Sequence, residues 1–267
     1  VTSPSATLTV WASSWLAGKS APDNVIDALH EWAPMHLVCA ENEATAEHTG
    51  LPWPDPRNDG VAALLSTIRR AAGDPGARLH VTLPGPGDVR GLPAGTSFAT
   101  AAIDAGEGVL IGAPGSPGLG LVPRVEGPDV LRWTGYTIDR VPLDLHHTGL
   151  GEAEYCMREA VRDAATALET LELLDTGSDD DPRELIADAL ARTARHRYPS
   201  EVPARMLRIM DSADQVAAIL VVAEKLAPGR TVSATGATAV EDLLRPLWSA
   251  VRSARSSAVN SAAAASA

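Results

Sequence analysis

Residues 109–145 read VLIGAPGSPGLGLVPRVEGPDVLRWTGYTIDRVPLDL, and the fold turns on how this stretch is divided. Apolar runs at 109–112, 119–125, 131–138 and 141–145 alternate with turn formers. Runs this short, rich in Val, Leu and Ile and bounded by Gly and Pro, predict strands joined by tight turns. Their close spacing makes an antiparallel meander the simplest pairing.

Upstream, a strand is expected at 79–83 and a short helix at 98–105, an alternation that admits some parallel pairing. Between residues 50 and 128 lie 15 of the 22 Gly and 11 of the 20 Pro, a density that opposes long helices there. Nearer the start, Leu8, Trp11 and Trp15 recur at helical spacing and Gly18 sits where a C-terminal cap is wanted. Ser20, Pro22 and Asp23 open a second helix carrying Val25, Ile26, Leu29 and Trp32. Residues 35–39 read as a strand, 43–59 as irregular, and 60–72 as a helix capped by Asp59, with Val61, Leu64, Leu65 and Ile68 on one stripe.

Downstream of Gly149 the period becomes 3.6. A helix over 152–174 carries a seam of Met157, Val161, Ala164, Leu168 and Leu171, with Glu154 and Arg158 spaced as an exposed pair. The acidic run 175–181 ends at Asp181-Pro182, a well-formed helix start for 182–196. Tyr198-Pro199-Ser200 breaks the chain. Helices follow at 202–210 and 213–227, the second capped by Ser212 and ended by Pro228-Gly229. A last helix holds Val240, Leu243, Leu244, Leu247, Trp248 and Val251, with a kink expected at Pro246.

The resulting fold class is mixed α/β, α+β-like: a small mixed β-sheet with flanking helices in the N-terminal half, then an all-α C-terminal region. Region boundaries fall at 1–148 and 149–255, with a frayed Ala/Ser tail at 256–267; 1–255 as one continuous domain is the alternative.

A composition of 45% hydrophobic and 21% charged residues is that of a folded protein rather than a disordered one. The net charge of −12 repels nucleic-acid phosphates and anionic membranes, so both are disfavoured as partners. The longest apolar run, 216–223, is too short to cross a bilayer. No basic segment followed by an apolar one opens the chain, and Cys39 and Cys156 make neither a metal pair nor a disulfide framework. A cytoplasmic protein with two buried, reduced thiols is expected.

Several short patterns carry chemistry elsewhere. Gly18-Lys19-Ser20 matches the end of a phosphate-binding loop, but position 13 is Ser where the first Gly is needed, and a helix cap explains the same residues. Gly85-x-Gly87-x-x-x-Gly91 follows a strand, yet its third spacing is one too long and Pro86 removes an amide. The same loop, 84–95, holds Asp88 and Arg90 between prolines that stiffen it. Were the loop 113–118 beside it, Asp88 and Arg90 would line a ligand site, joined by His146 or His147 as a group titrating near neutrality. Structural roles for these residues are the plainer reading: Asp88 capping the turn, Arg90 solvated, the histidines at a strand–helix junction.

Adjacent His146 and His147 diverge in extended chain, and no Cys-x-x-Cys or His-x-x-x-His pair accompanies them, so a metal site is not expected. No nucleophile elbow is present, because Gly115-Ser116 is followed by Pro117 and preceded by Ala113 and Pro114. Arg192, Arg195, Arg197, Arg205 and Arg208 form a local basic concentration, neutralised in part by Glu184, Asp188, Glu201 and Asp211. Trp53, between two prolines, is expected to pin its loop onto the core.

No catalytic constellation and no cofactor motif emerges. The chain is expected to act through protein or ligand binding, as a homodimer or with another protein partner. The alternatives are an enzyme or small-molecule sensor with its site between loops 84–95 and 113–118, and a nucleic-acid-binding regulator.

Overall fold

The computed structural model describes residues 3–56, 60–145, 149–173, 181–226 and 234–266, with side chains described in these except over 164–173, 226 and 234–243. Asp59, His146, His147, the acidic residues 175–180 and Pro228-Gly229 lie outside the described residues, as do the side chains of Ala164, Leu168, Leu171, Val240 and Leu243.

The turn-dense half folds as a mixed sheet. Strands β1 (Met35–Ala40), β2 (Arg78–Thr82), β3 (Gly108–Gly112), β4 (Gly118–Val125) and β5 (Val130–Ile138) form five strands in the order β1-β5-β4-β3-β2. From β2 to β5 every neighbour is antiparallel, and β1 alone runs parallel, alongside β5 with Met35 opposite Val130. Parallel pairing therefore occurs at the opposite end of the sheet from the 79–112 strand–helix–strand segment.

The run 141–145 is not a strand. Both flanks of β5 are already taken by β1 and β4, so the chain leaving β5 finds no neighbouring edge. Val141 instead exchanges hydrogen bonds with the loop after β3, donating to the Ser116 carbonyl and accepting from Gly115 N–H, each at 2.8 Å.

Alternation along the strands feeds two cores. On one face, Val38, Ile111, Leu121 and Trp133 meet Leu8, Leu29, Leu64 and Ile68 of α1 (Pro4–Leu16), α2 (Pro22–His30) and α4 (Gly60–Ala71). On the other, Leu110, Val122, Tyr136 and Ile138 meet Phe98 and Ala102 of α5 (Ser97–Ala105). Burying each such large side chain contributes about 1.5–3 kcal/mol. The single Phe packs close against the sheet because glycine stands beneath it: a Cβ on Gly120 would fall 2.3 Å from the Phe98 ring.

Residues 43–49, expected to be irregular, form α3 (Glu43–Thr49). Asn42 caps it by accepting from Thr45 N–H at 2.8 Å, and Gly50 ends it in the left-handed region. The helix has no apolar stripe, so periodicity could not show it; the two caps are its whole signal. Trp53, expected to be pinned onto the core, is 46% exposed.

Contacts divide the described chain into two units. The sheet unit comprises residues 3–145, 196–202 and the end of the last helix from Val259. Its helix α1 is buried on nearly every side, hydroxyl residues included. Thr9 donates to the Ser5 carbonyl, and Thr7 accepts from Trp32 Nε1 at 3.1 Å. Residues 196–202 complete that unit: Trp11 Nε1 donates to the Arg197 carbonyl at 2.9 Å, and Trp32 stacks on His196 with ring centroids 3.7 Å apart.

The helical unit holds α6 (Leu150–Leu173), α7 (Pro182–Thr193), α8 (Ala204–Leu226) and α9 (Ala234–Ser266) as far as Ala258. Helix α8 packs on α6 and α7. The buried stripe of α6 is Ala153, Met157 and Ala160; Val161, assigned to the seam, is exposed. Glu154 pairs with Arg205 of α8 rather than with Arg158, at 2.8 and 3.0 Å. Instead of two helices, α8 is continuous. Ile209, Ala213, Val216 and Leu220 carry one buried stripe through the expected break, and Ser212 donates back to the Arg208 carbonyl at 2.9 Å instead of capping.

The tail also differs from expectation. Helix α9 runs on to Ser266, with Ala258, Val259, Asn260, Ala262 and Ala263 buried. Small side chains read as a sign of fraying; here they permit close packing, and alanine is the strongest helix former. Among the described residues no helix is long and apolar enough to cross a membrane.

Candidate functional site

Strand β2 is the edge of the sheet, so half of its backbone groups lack a strand partner. Asn260 fills that gap at Val81. Its Oδ1 accepts from Val81 N–H at 2.8 Å, and its Nδ2 donates to the Val81 carbonyl at 3.1 Å. A side-chain amide thus takes the place of a neighbouring strand. The Nδ2 group also lies 3.3 Å from Nε2 of buried His80.

Beside this contact is a pocket of about 160 Å³. Arg78 and His80 reach it from alternate positions of β2, and Leu110 and Gly112 from the facing positions of β3. Pro114 brings in the loop 113–118, Val141 and Leu145 the segment after β5, and Asn260 and Ala264 the end of α9. The walls are mainly apolar, and Arg78, His80 and Asn260 are the residues with polar side chains among those that line it.

Of the residues singled out from sequence, Asp88 and Arg90 are not among those lining the pocket. Gly85 and Asp88 exchange backbone hydrogen bonds at 2.9 Å across a Pro86-Gly87 turn, so the glycine pattern closes a hairpin and opens no helix. Arg90 grips Asp88 with Nε and Nη2, both at 2.8 Å, and this pairing holds the guanidinium pKa above its usual value. The loop does approach the pocket at Gly91, where a Cβ would lie 3.9 Å from His80 Nε2. Leu145, the residue before His146, lines the pocket; His146 and His147 are outside the described residues.

Sequence reasoning missed Arg78, His80 and Asn260. A polar residue in the strand pattern Leu79-His80-Val81, and a lone amide in an Ala/Ser tail, were the available signals. Neither says that the two meet across 180 residues.

Gly18-Lys19-Ser20 ends α1 and joins it to other elements. Gly18 N–H and Lys19 N–H close α1 on the Trp15 and Ser14 carbonyls, and Gly18 takes φ +73°. Lys19 Nζ donates to the last carbonyls of α9, Ala265 and Ser266. Ser20, rather than capping α2, lies 2.6 Å from Ser14 Oγ, and Ser14 donates to Glu201. Cys39 is buried as expected; Cys156 is exposed, because the buried stripe of α6 passes through Met157 and leaves it outside.

His36 is a fully engaged core histidine. Trp133 Nε1 donates to its Nδ1 at 3.1 Å, and its Nε2 donates to the Leu29 carbonyl at 3.0 Å. Burial pushes its pKa down, so the ring is kept neutral.

Two family models match the chain: Rv1486c-like protein, N-terminal domain, over residues 5–146, and Rv1486c-like protein, C-terminal domain, over 151–256. The "Uncharacterized protein Rv1486c" of Mycobacterium tuberculosis is 45% identical over 279 residues, covering 96% of each chain. The "Uncharacterized protein ML1804" of Mycobacterium leprae is 42% identical over 287 residues, again covering 96% of each. No solved structure matches the chain.

Proposed function

The chain belongs to the Rv1486c-like family, and because these relatives bring no named activity, we propose a function from the pocket itself: binding of a small molecule at the β2 edge, as a binding or sensing protein. One observation carries this reading. Arg78, His80 and Asn260, drawn from distant parts of the chain, converge on an otherwise apolar concavity, the usual composition of a ligand site.

The loop carrying Asp88 and Arg90 belongs to the same proposal as the rim, through Gly91 beside His80. A thermal-shift screen over nucleotides, coenzymes and small acids tests it. Hits are expected to weaken several-fold in Arg78→Gln and also to weaken in Asn260→Leu, whereas hits indifferent to both would place binding elsewhere.

Self-association is the second part of this reading, supported by Tyr155 and Val161, 58% and 37% exposed on α6. Sedimentation as a monomer at roughly 50 μM, within the range of moderate affinities, would remove it. The free thiols of Cys39 and Cys156 favour a reducing, cytoplasmic setting. A nucleic-acid role draws less support, since Arg205 of the basic cluster is held by both oxygens of Glu154.

A further inference from the structure

We propose that the pocket's ligand is a small monocarboxylate with a compact apolar body, an inference that rests on the pocket being a binding site. Three observations define the class. Arg78 stands exposed at the start of β2, and among the described residues no carboxylate pairs with it. A guanidinium fork in that position matches the two oxygens of a carboxylate.

The walls beyond Arg78 are Leu110, Pro114, Val141 and Leu145, which offer an anion nothing but can cover hydrocarbon. Asn260 commits its amide to Val81 and His80, so it shapes the floor of the pocket and does not grip a polar ligand strongly.

Size and charge narrow the class further. A volume of about 160 Å³ is close to that of an engineered cavity of about 150 Å³ in another protein that takes up benzene. A body of about six carbons therefore fills the pocket. A net charge of −12 slows the approach of multivalent anions more than that of a single carboxylate.

Titration of the full chain, followed by amide NMR shifts, tests this with benzoate, its neutral isostere benzamide, and inorganic phosphate. Benzoate is expected to move the amides of Leu79, Val81 and Val141, with benzamide binding more weakly by up to roughly fivefold, as expected for loss of one exposed ion pair. Arg78→Gln, an exposed substitution that leaves the fold intact, is expected to bring benzoate down to the level of benzamide. Equal binding of benzamide and benzoate would overturn the anionic class while leaving the pocket reading standing. Phosphate matching benzoate would overturn the apolar body. If none of the three moves those amides, both the ligand class and the pocket reading fall.

Discussion

At the scale of single residues, two positions carry more than their place in the sequence suggests. His36 links Trp133 of β5 to the Leu29 carbonyl of α2 with both ring nitrogens. Replacing it with Leu strands the buried Trp133 N–H, so His36→Leu is expected to cost about 1–3 kcal/mol in denaturant unfolding. The ring also sets a pH dependence. Its folded pKa is depressed by burial, with the nearby His30 acting in the same direction, so the unfolded chain binds the proton more readily. Stability from this group is complete above about 6.5 and is lost as pH falls below it. Calorimetry at pH 7.5 and 5.5 is expected to show that loss in the native chain and less of it in His36→Leu. Gly120 is the other residue: its Cβ position is occupied by the Phe98 ring, which also crowds the Cβ position of Gly108. Gly120→Ala is expected to cost about 1–3 kcal/mol through overpacking, measured by the same unfolding curves, whereas at Gly149, open around its Cβ, Ala is expected to cost far less.

Among the elements, the end of α9 and strand β2 depend on each other. Asn260 supplies the edge of β2 with the two hydrogen bonds a neighbouring strand would give, and Lys19 closes the last carbonyls of the same helix. Truncation after Ser256 removes both. The truncated chain is expected to show faster hydrogen exchange at the Val81 amide while the Val109 amide of the inner strand β3 stays protected; unchanged exchange at Val81 would show that Asn260 does not hold the edge. The helix itself was legible in outline, through Leu244, Leu247 and Val251, but its last three turns were not. Alanine and serine look alike whether a segment frays or packs closely, because what distinguishes the two is the surface it meets.

For the whole molecule, the sheet unit draws on three separated stretches of chain. Residues 3–145 contain all five strands, yet Trp11, Trp32 and Ser14 find partners in 196–202 and Val81 finds one at Asn260. A fragment of 3–145 alone is therefore expected to melt below the full chain and to aggregate more readily through its exposed tryptophans and bare β2 edge, with light scattering during a thermal ramp as the measure. Local sequence was enough to place the strands at 109–138, the stripe of Val61, Leu64, Leu65 and Ile68, and the caps at Gly18 and Asp181. Each follows from local backbone preference and the period of the apolar residues, which act within a few positions of chain. Tertiary structure alone decided that 141–145 would not pair as a strand, since β5 had no free edge, and that Ser212 would lie inside one long helix. It also decided the pocket, because Arg78, His80 and Asn260 meet only through contacts spanning most of the chain, and no local pattern encodes which distant residue will fill an open hydrogen-bonding edge.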